Sequence, residues 1–446
     1  MPKRALTVAA IAALALMCQG SAWAHSRSVQ GTLDHAAADG RIEASVHARY
    51  TRDWSRLRHA ARRLHGAARS DVSGVLSNTW SLARRGMLEG RLVPVFLTVE
   101  RNIEWFWQRR KGPAAYGARH TFRGSPVIFE FYPGVGWQIQ PLGNFGRLNG
   151  LAAAKHTRLR TLTRYADALL PLAVRRKDFL AFEYYFPWSG GRPGWISGMA
   201  TATGMAALAR VWHRTGDARY RDAAEDMLGA FFRPPPWGIR LYRGHGRAHY
   251  LQYSQDPHLL VGNAFSQSLI GLDDLVRITG DPKAKLALAR GLRQARARLS
   301  RFDTGAWSLY WRRPGTRHGG ESDLHYHQLF EGFLAKLCRR FASGPFCRMH
   351  DDFARYETEP VRIGHMRTAR HGSTLRVRVW TSKRGYGTLG LRLGKHTVRS
   401  VSLSLWRGTH SIALTIPKRH RHYRLRLDAT SPNEIRSSAE RTLAVH

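Results

Sequence analysis

Val211-Trp212-His213-Arg214-Thr215-Gly216-Asp217 and Leu275-Val276-Arg277-Ile278-Thr279-Gly280-Asp281-Pro282 are two versions of one junction. In each, an apolar segment ends on a glycine and an aspartate follows at once. Glycine takes the left-handed backbone that closes a helix, and aspartate accepts the free amides that open the next. Pro282 suits the first turn of the helix it starts. The first junction leads into Ala218 to Phe232 and the second into Lys283 to Leu299, so the chain repeats a helical hairpin. From Asn144 to about Phe353 the texture persists, in helical segments separated by Gly-, Pro- and aromatic-rich loops. The pattern predicts a mainly α protein whose paired helices form an α/α toroid, an incomplete (α/α)6-type barrel. A simple helical bundle is the alternative, and the long aromatic loops weigh against it.

On the N-terminal side, residues 25–120 read as a helical arm. Arg41 to Ala67 has Ile42, Val46, Tyr50, Trp54 and Leu57 at helical spacing, and Ser70 to Arg110 carries a second periodic set with a break expected near Gly86 or Gly90. Its Trp and Phe residues read as core. Residues 121–355 are then the toroid. They open with a hairpin, Val127 to Tyr132 and Trp137 to Leu142, around the turn Pro133-Gly134. After about Tyr356 the period changes to two: Thr374 to Trp380 alternates apolar with basic, as do Val401 to Trp406 and Tyr423 to Leu427. Residues 356–446 therefore read as an antiparallel β-sandwich accessory domain.

The chain opens with Lys3 and Arg4, an apolar run from Ala5 to Met17, and Ala22-Trp23-Ala24. That order predicts a signal peptide over 1–24 and a mature protein that is secreted, periplasmic or on the cell surface. Cys18 raises a lipid anchor, for which Met17 is a poor neighbour. No transmembrane segment is expected. Cys338 and Cys347, close in sequence across a turn, read as one local disulfide in an oxidising compartment, with two buried thiols as the alternative. The formal net charge of +40 predicts a field that attracts polyanions. Its spread along the chain does not choose among nucleic acid, anionic membrane or cell wall, and acidic polysaccharide.

No phosphate loop, no Gly-x-Ser-x-Gly nucleophile elbow and no His-Glu-x-x-His helix occurs. Four segments rich in Tyr, Trp, His and small residues stand out instead. They are Phe182 to Trp188 with Pro193 to Ala200; Tyr250 to Pro257 with Val261 to Phe265; Phe302 to Arg313; and Asp323 to Leu329.

In these segments the sequence resembles the D-glucuronyl C5-epimerase family, the enzymes that make iduronate in heparan-type chains. The motifs are Trp195-Ile196-Ser197-Gly198-Met199-Ala200, Tyr253 before Asn263, Leu269-Ile270-Gly271-Leu272-Asp273-Asp274-Leu275, Phe302-Asp303-Thr304-Gly305, Tyr310 with Arg313, and Tyr326-His327. They fall in the family's order over about residues 180–340. Each is weak alone; the ordered set is specific. The resemblance implies an exported polysaccharide uronate C5-epimerase, inverting D-glucuronate to L-iduronate with no cofactor and no metal.

It also implies roles. Tyr253 and Tyr326 match the family's catalytic tyrosines, one for each face of the sugar. Tyr310 and Arg313 match substrate-side positions, Arg313 as partner of the uronate carboxylate. Asn263 matches a family Asn, and Tyr185, Trp195 and His327 complete the substrate-binding candidates. Carbon 5 carries a proton made weakly acidic by the adjacent carboxylate, and charge that builds there on its removal must be offset by donors or cations. A second acid on the opposite face returns a proton and inverts the centre. Tyrosine, with an ordinary pKa near 10, serves both steps when a nearby Arg lowers it. The departures are Gln252 for the family's Glu, Ser254 for its Pro, Thr201 for its Gln and Asp323 for its Arg. Other readings are a uronate lyase using the same proton abstraction, and a non-catalytic acidic-glycan-binding protein. The expected partner is a uronate-containing polysaccharide rather than nucleic acid, with a homodimer left open.

Overall fold

The computed structural model describes residues 28–315, 319–342, 344–416 and 421–445; the leader read at 1–24 and Cys18 lie outside them. Helices α1 (Val29–Ala38), α2 (Ala44–Arg63), α3 (Gly66–Arg84) and α4 (Leu92–Asn102) come first. Ser28 caps α1 by accepting the Gly31 N–H at 2.8 Å, satisfying one amide that the first turn leaves free. The chain breaks between α3 and α4 at residues 85–91, where Gly86 takes a φ of 65°. A single π-helical turn, Ile103–Gln108, extends α4.

Strands β1 (Arg119–Thr121), β2 (Ile128–Tyr132) and β3 (Gly136–Ile139) form an antiparallel sheet in that order. Buried Asn102 at the end of α4 holds this sheet. Its Nδ2 donates to Trp137 O at 2.8 Å and its Oδ1 accepts from Trp137 N at 2.9 Å, so the strand's outer edge is satisfied by a side chain. Only glycine fits at 136: its φ is 68°, and a Cβ there would lie 2.3 Å from Asn102 Oδ1.

Next come α5 (Pro141–Ala153), α6 (Leu159–Leu169), β4 (Val174–Arg176), β5 (Phe179–Ala181), α7 (Gly198–Thr215) and α8 (Ala218–Met227). Strands β6 (Arg240–Tyr242), β7 (Ala248–Tyr250) and β8 (Leu260–Val261) precede α9 (Gly262–Thr279) and α10 (Pro282–Arg298). The two repeated junctions are the punctuation their residues require. Gly216 and Gly280 take φ values of 75° and 73°. Asp217 accepts the Arg219 N–H at 3.0 Å, and Asp281 the Ala284 N–H at 2.5 Å.

Strands β9 (Leu309–Arg312) and β10 (Gly319–Glu321) pair with β8 in the order β10-β9-β8. Helices α11 (Leu324–Phe341) and α12 (Gly344–Thr358) follow, joined by the disulfide Cys338–Cys347. The remaining strands are β11 (Arg367–His371), β12 (Thr374–Thr381), β13 (Gly385–Leu393), β14 (His396–Leu405), β15 (Gly408–Thr415), β16 (Arg421–Thr430) and β17 (Arg436–Val445). They form two antiparallel sheets, β11-β12-β15 and β14-β13-β16-β17. In β12, Leu375, Val377 and Val379 point inward while Arg376 and Arg378 stay exposed, the period-two pattern in physical form. Leu375 and Val377 share one core with Leu389, Leu391, Leu425 and Leu427 of the other sheet. Each such buried side chain contributes about 1.5–3 kcal/mol of apolar burial.

Two compact units result. Among the described residues, unit 1 takes those up to Tyr242 with Tyr250–Pro257 and Gly271–Ala289; unit 2 takes Arg243–His249, His258–Ile270 and those from Arg290 onward. Helices α11 and α12 share a unit with the terminal sheets. Among the described residues, no helix is long and apolar enough to cross a membrane.

Candidate active site

Tyr253 belongs to unit 1 and its position is set by a backbone zipper. Gly198 N donates to Leu251 O at 3.0 Å, and Ser254 N donates to Ile196 O at 3.0 Å. Ser254 Oγ accepts the Ile196 N–H at 3.0 Å. A proline at 254 has no N–H to give, so the departure from the family pattern is structurally coherent: serine closes both bonds. Ser197 caps α7 by accepting the Ala200 N–H and donates its hydroxyl to Gln252 Oε1 at 3.0 Å. The approach is close enough that a Cβ on Gly198 would meet Leu251 O at 2.4 Å.

The Tyr253 ring is buried among aromatics. It lies 5.5 Å from Trp195, edge to face, and 6.5 Å from half-buried Trp188. Trp195 stacks on Tyr184 at 4.0 Å and donates its indole N–H to Phe186 O at 2.8 Å. Both its polar atom and one face are therefore used inside the unit. Trp195 is the wall that seats Tyr253.

Tyr185 is enclosed as well, and its hydroxyl, with no partner, ends at a small cavity lined also by Asn78 and Gln138. Burial, with the neighbouring Glu183 carboxylate, pushes that hydroxyl well above the ordinary tyrosine value. Its neighbour Glu183 is the residue the sequence reading missed. Fully enclosed, its carboxylate accepts Arg91 Nε and Nη2 at 2.6 and 2.8 Å and Arg176 Nε at 2.5 Å. Arg176 also donates to Trp237 O at 2.7 Å and to Gly194 O, which staples the loop before Trp195. Arg176 is only seven residues upstream, but Arg91 is 92 residues away, and a Glu set among aromatics gives no local signal of that second pairing.

In unit 2, Tyr310 on β9 and Tyr326 in the first turn of α11 bring their rings to 4.6 Å. Asp323, where the family has Arg, caps α11 by accepting the Tyr326 N–H at 2.8 Å. Tyr326 is 37% exposed, and Arg313, directly after β9, is exposed. Asn263 is buried in the first turn of α9, its Oδ1 on the Ala264 N–H at 2.8 Å.

His327, a substrate-binding candidate, is fully buried. It stacks on Trp307 at 3.6 Å. Its Nε2 lies 3.1 Å from Phe353 O, so Nε2 carries the proton, and Nδ1 faces Ser308 Oγ at 2.8 Å. Burial, with a smaller contribution from Lys383, lowers its pKa to about 4. It is a neutral core group that anchors the start of α11.

Lys383, another residue missed, braces this region from the loop after β12. Its buried ammonium donates to Tyr356 O and Glu359 O at 2.7 and 2.6 Å, at the end of α12, and lies 5.0 Å from the Trp307 ring. Positive charge at a helix C-terminus is favourable there. Burial lowers the Lys383 pKa to about 8.

One His/Asp/Glu group among the described residues has ligand atoms close enough to share an ion: His35, Asp39 and Glu89. Arg41 already pairs with both carboxylates, at 2.9 and 2.6 Å, so a guanidinium fills the cation's place.

Comparison with known proteins bears on the whole region. Residues 177–351 match the family described as D-glucuronyl C5-epimerase C-terminus. Over these residues the chain is similar to that epimerase family. A D-glucuronyl C5-epimerase of Caenorhabditis elegans is 30% identical over 131 residues, 26% of this chain and 21% of that protein. An uncharacterised protein of Methanocaldococcus jannaschii is 26% identical over 152 residues, 33% of this chain and 48% of that one. The chain thus spans about half or less of the length of these curated relatives. A cellobiose 2-epimerase from Bacillus thermoamylovorans overlays on 72% of this chain and 78% of its own, at 10% identity and a TM-score of 0.38, too loose to carry a fold assignment. All four aromatic-rich segments fall inside the epimerase-family stretch.

Proposed function

We propose that this protein is an exported polysaccharide uronate C5-epimerase, converting D-glucuronate residues to L-iduronate. The observation that carries the reading is the epimerase-family match over residues 177–351, inside which Tyr253, Tyr310, Arg313 and Tyr326 keep the family's order. The incomplete α/α toroid remains part of this proposal.

In the proposed reaction one tyrosine, as its anion, takes the proton from carbon 5. The electron pair left behind delocalises into the carboxylate, whose added charge Arg313 offsets. The other tyrosine delivers its proton to the opposite face, so no atom is gained or lost and only the configuration changes. Tyr253 and Tyr326 are the proposed pair. Tyr310, ring to ring with Tyr326, is the positioning group and Asn263 the residue that sets the loop opening α9. Gln252 cannot exchange protons at ordinary pH, so the assistance a carboxylate would give is absent at that position.

The test is incubation with a glucuronate-containing polymer in deuterated water. Deuterium should enter at carbon 5 while chain length stays constant. Chain breaks with unsaturated, ultraviolet-absorbing ends would replace this reading by a lyase. Binding without exchange on any uronan would replace it by a non-catalytic glycan-binding protein, the reading that Gln252 favours.

A further inference from the structure

Unit 2 holds a cavity of about 440 Å³ that the tyrosine pair does not line. Its size is that of a small-ligand site. Phe265 and Phe302 give it an apolar floor, while the rim is cationic: Arg243 and Arg247, Arg298 and Arg301, and Arg312 of β9. Among the described residues none of these five arginines has a carboxylate at ion-pair distance, although ion pairs are frequent elsewhere on the chain. Burial holds Arg243 and Arg312 below the ordinary guanidinium value, and Arg301 adds to this at Arg312. Cations gathered without counter-charge repel one another and are relieved by an anion.

Two buried polar side chains end at the same cavity without a partner. His249 is 2% exposed and stacks near Phe265 at 4.2 Å, and its Nε2 has no hydrogen-bond partner. Gln294, 6% exposed, leaves Oε1 without one. Burial, then Arg243, lowers the His249 pKa to about 3, so it is a neutral imidazole. Each orphaned buried group costs about 1–3 kcal/mol, an expense that a ligand hydroxyl removes.

Guanidinium groups suit a carboxylate or sulfate, a neutral imidazole and an amide oxygen suit hydroxyls, and an aromatic floor suits the C–H face of a sugar ring. We propose that this cavity is a subsite for an anionic sugar unit, its acid group held by the Arg298–Arg301–Arg312 side and its hydroxyls by His249 and Gln294. Arg312 and Tyr310 are two residues apart on β9 and share a face, about 7 Å along the strand, so the subsite adjoins the tyrosine pair. The choice of a uronate unit rests on the epimerase reading; the anion site itself does not.

The test is calorimetric titration of the full chain with three probes. They are a hexasaccharide of alternating glucuronate and N-acetylglucosamine, its carboxyl-reduced neutral form, and inorganic sulfate. The doubly substituted Arg298→Gln/Arg301→Gln chain should bind the acidic hexasaccharide at least tenfold more weakly. Its binding of the neutral form should be unchanged, as should its melting temperature. Arg312→Gln should repeat the loss independently. Equal affinity for the acidic hexasaccharide in wild type and both variants overturns the proposal. So does arginine-dependent binding of sulfate with none of the hexasaccharide, which makes the cavity a free-anion site. Arginine-dependent hexasaccharide binding without carbon 5 exchange leaves the subsite standing and removes the epimerase. Exchange that ignores the arginines does the reverse.

Discussion

Tyr253 and Tyr326 share a residue type and a proposed role but sit in opposite surroundings. Tyr253 is 8% exposed, walled by Trp195 and Trp188 and fixed by a zipper of backbone bonds. Tyr326 is 37% exposed, in ring contact with Tyr310, and placed by the cap and the buried anchors of its helix. The difference teaches how a weakly acidic side chain is positioned. In unit 1 the packing around the ring itself over-determines it. In unit 2 the ring is left accessible and its helix start is what is locked, by His327, Trp307 and Lys383. Substitutions around Tyr253 should therefore appear first as lost stability, and those at Tyr326 first as lost rate.

The largest effect should come from breaking the ion cluster of unit 1. Glu183→Gln leaves two buried guanidinium groups facing a neutral amide, and removing one partner of a buried pair costs about 3–5 kcal/mol. Urea unfolding followed by near-ultraviolet circular dichroism should show that loss. A shift below about 1 kcal/mol would mean the cluster is hydrated and does not hold the loop before Trp195.

Acid should act next, and on unit 2. His327 has an ordinary pKa of 6.5 and a folded value of about 4. Between those values only the unfolded chain takes up the proton, so stability is full above pH 6.5 and falls as pH is lowered toward 4. The gap is worth roughly 3 kcal/mol. Unfolding measured from pH 7 to pH 4 should lose about that much more in the wild type than in His327→Gln. Parallel pH curves would show that His327 is not held neutral.

The smallest effect should be at Ser254. Ser254→Ala removes the acceptor of the buried Ile196 N–H, costing about 1–2 kcal/mol. The melting temperature should fall by a few degrees, with Tyr253 still in place. No change would mean that the zipper is held by its backbone bonds alone.

Much of the fold was legible because its causes are local. Gly216-Asp217 and Gly280-Asp281 end and begin helices through bonds that span a few residues. The alternation from Thr374 to Thr381 is the sandwich core written in one strand, and Cys338 and Cys347 stand one helix end apart. The candidate site was legible only as an ordered set of motifs. What each motif residue does depends on partners far along the chain. Arg91 reaches Glu183 across 92 residues, and Lys383 reaches the end of α12 from the sandwich. Nothing near His327 distinguishes a buried imidazole from an exposed one, because Tyr326 and Gln328 on either side are exposed. The arginine cavity gathers three separate stretches, each of which reads alone as an ordinary basic surface.

Tyr253 and Tyr326, for all their different settings, are the two proposed proton-handling groups. The most direct test of that assignment is the rate of deuterium entry at carbon 5 of a glucuronate polymer for the wild type, Tyr253→Phe and Tyr326→Phe. Each variant should lose at least about 100-fold in rate, the scale of one acid–base group, with polymer length unchanged. Wild-type incorporation in both variants would contradict the assignment.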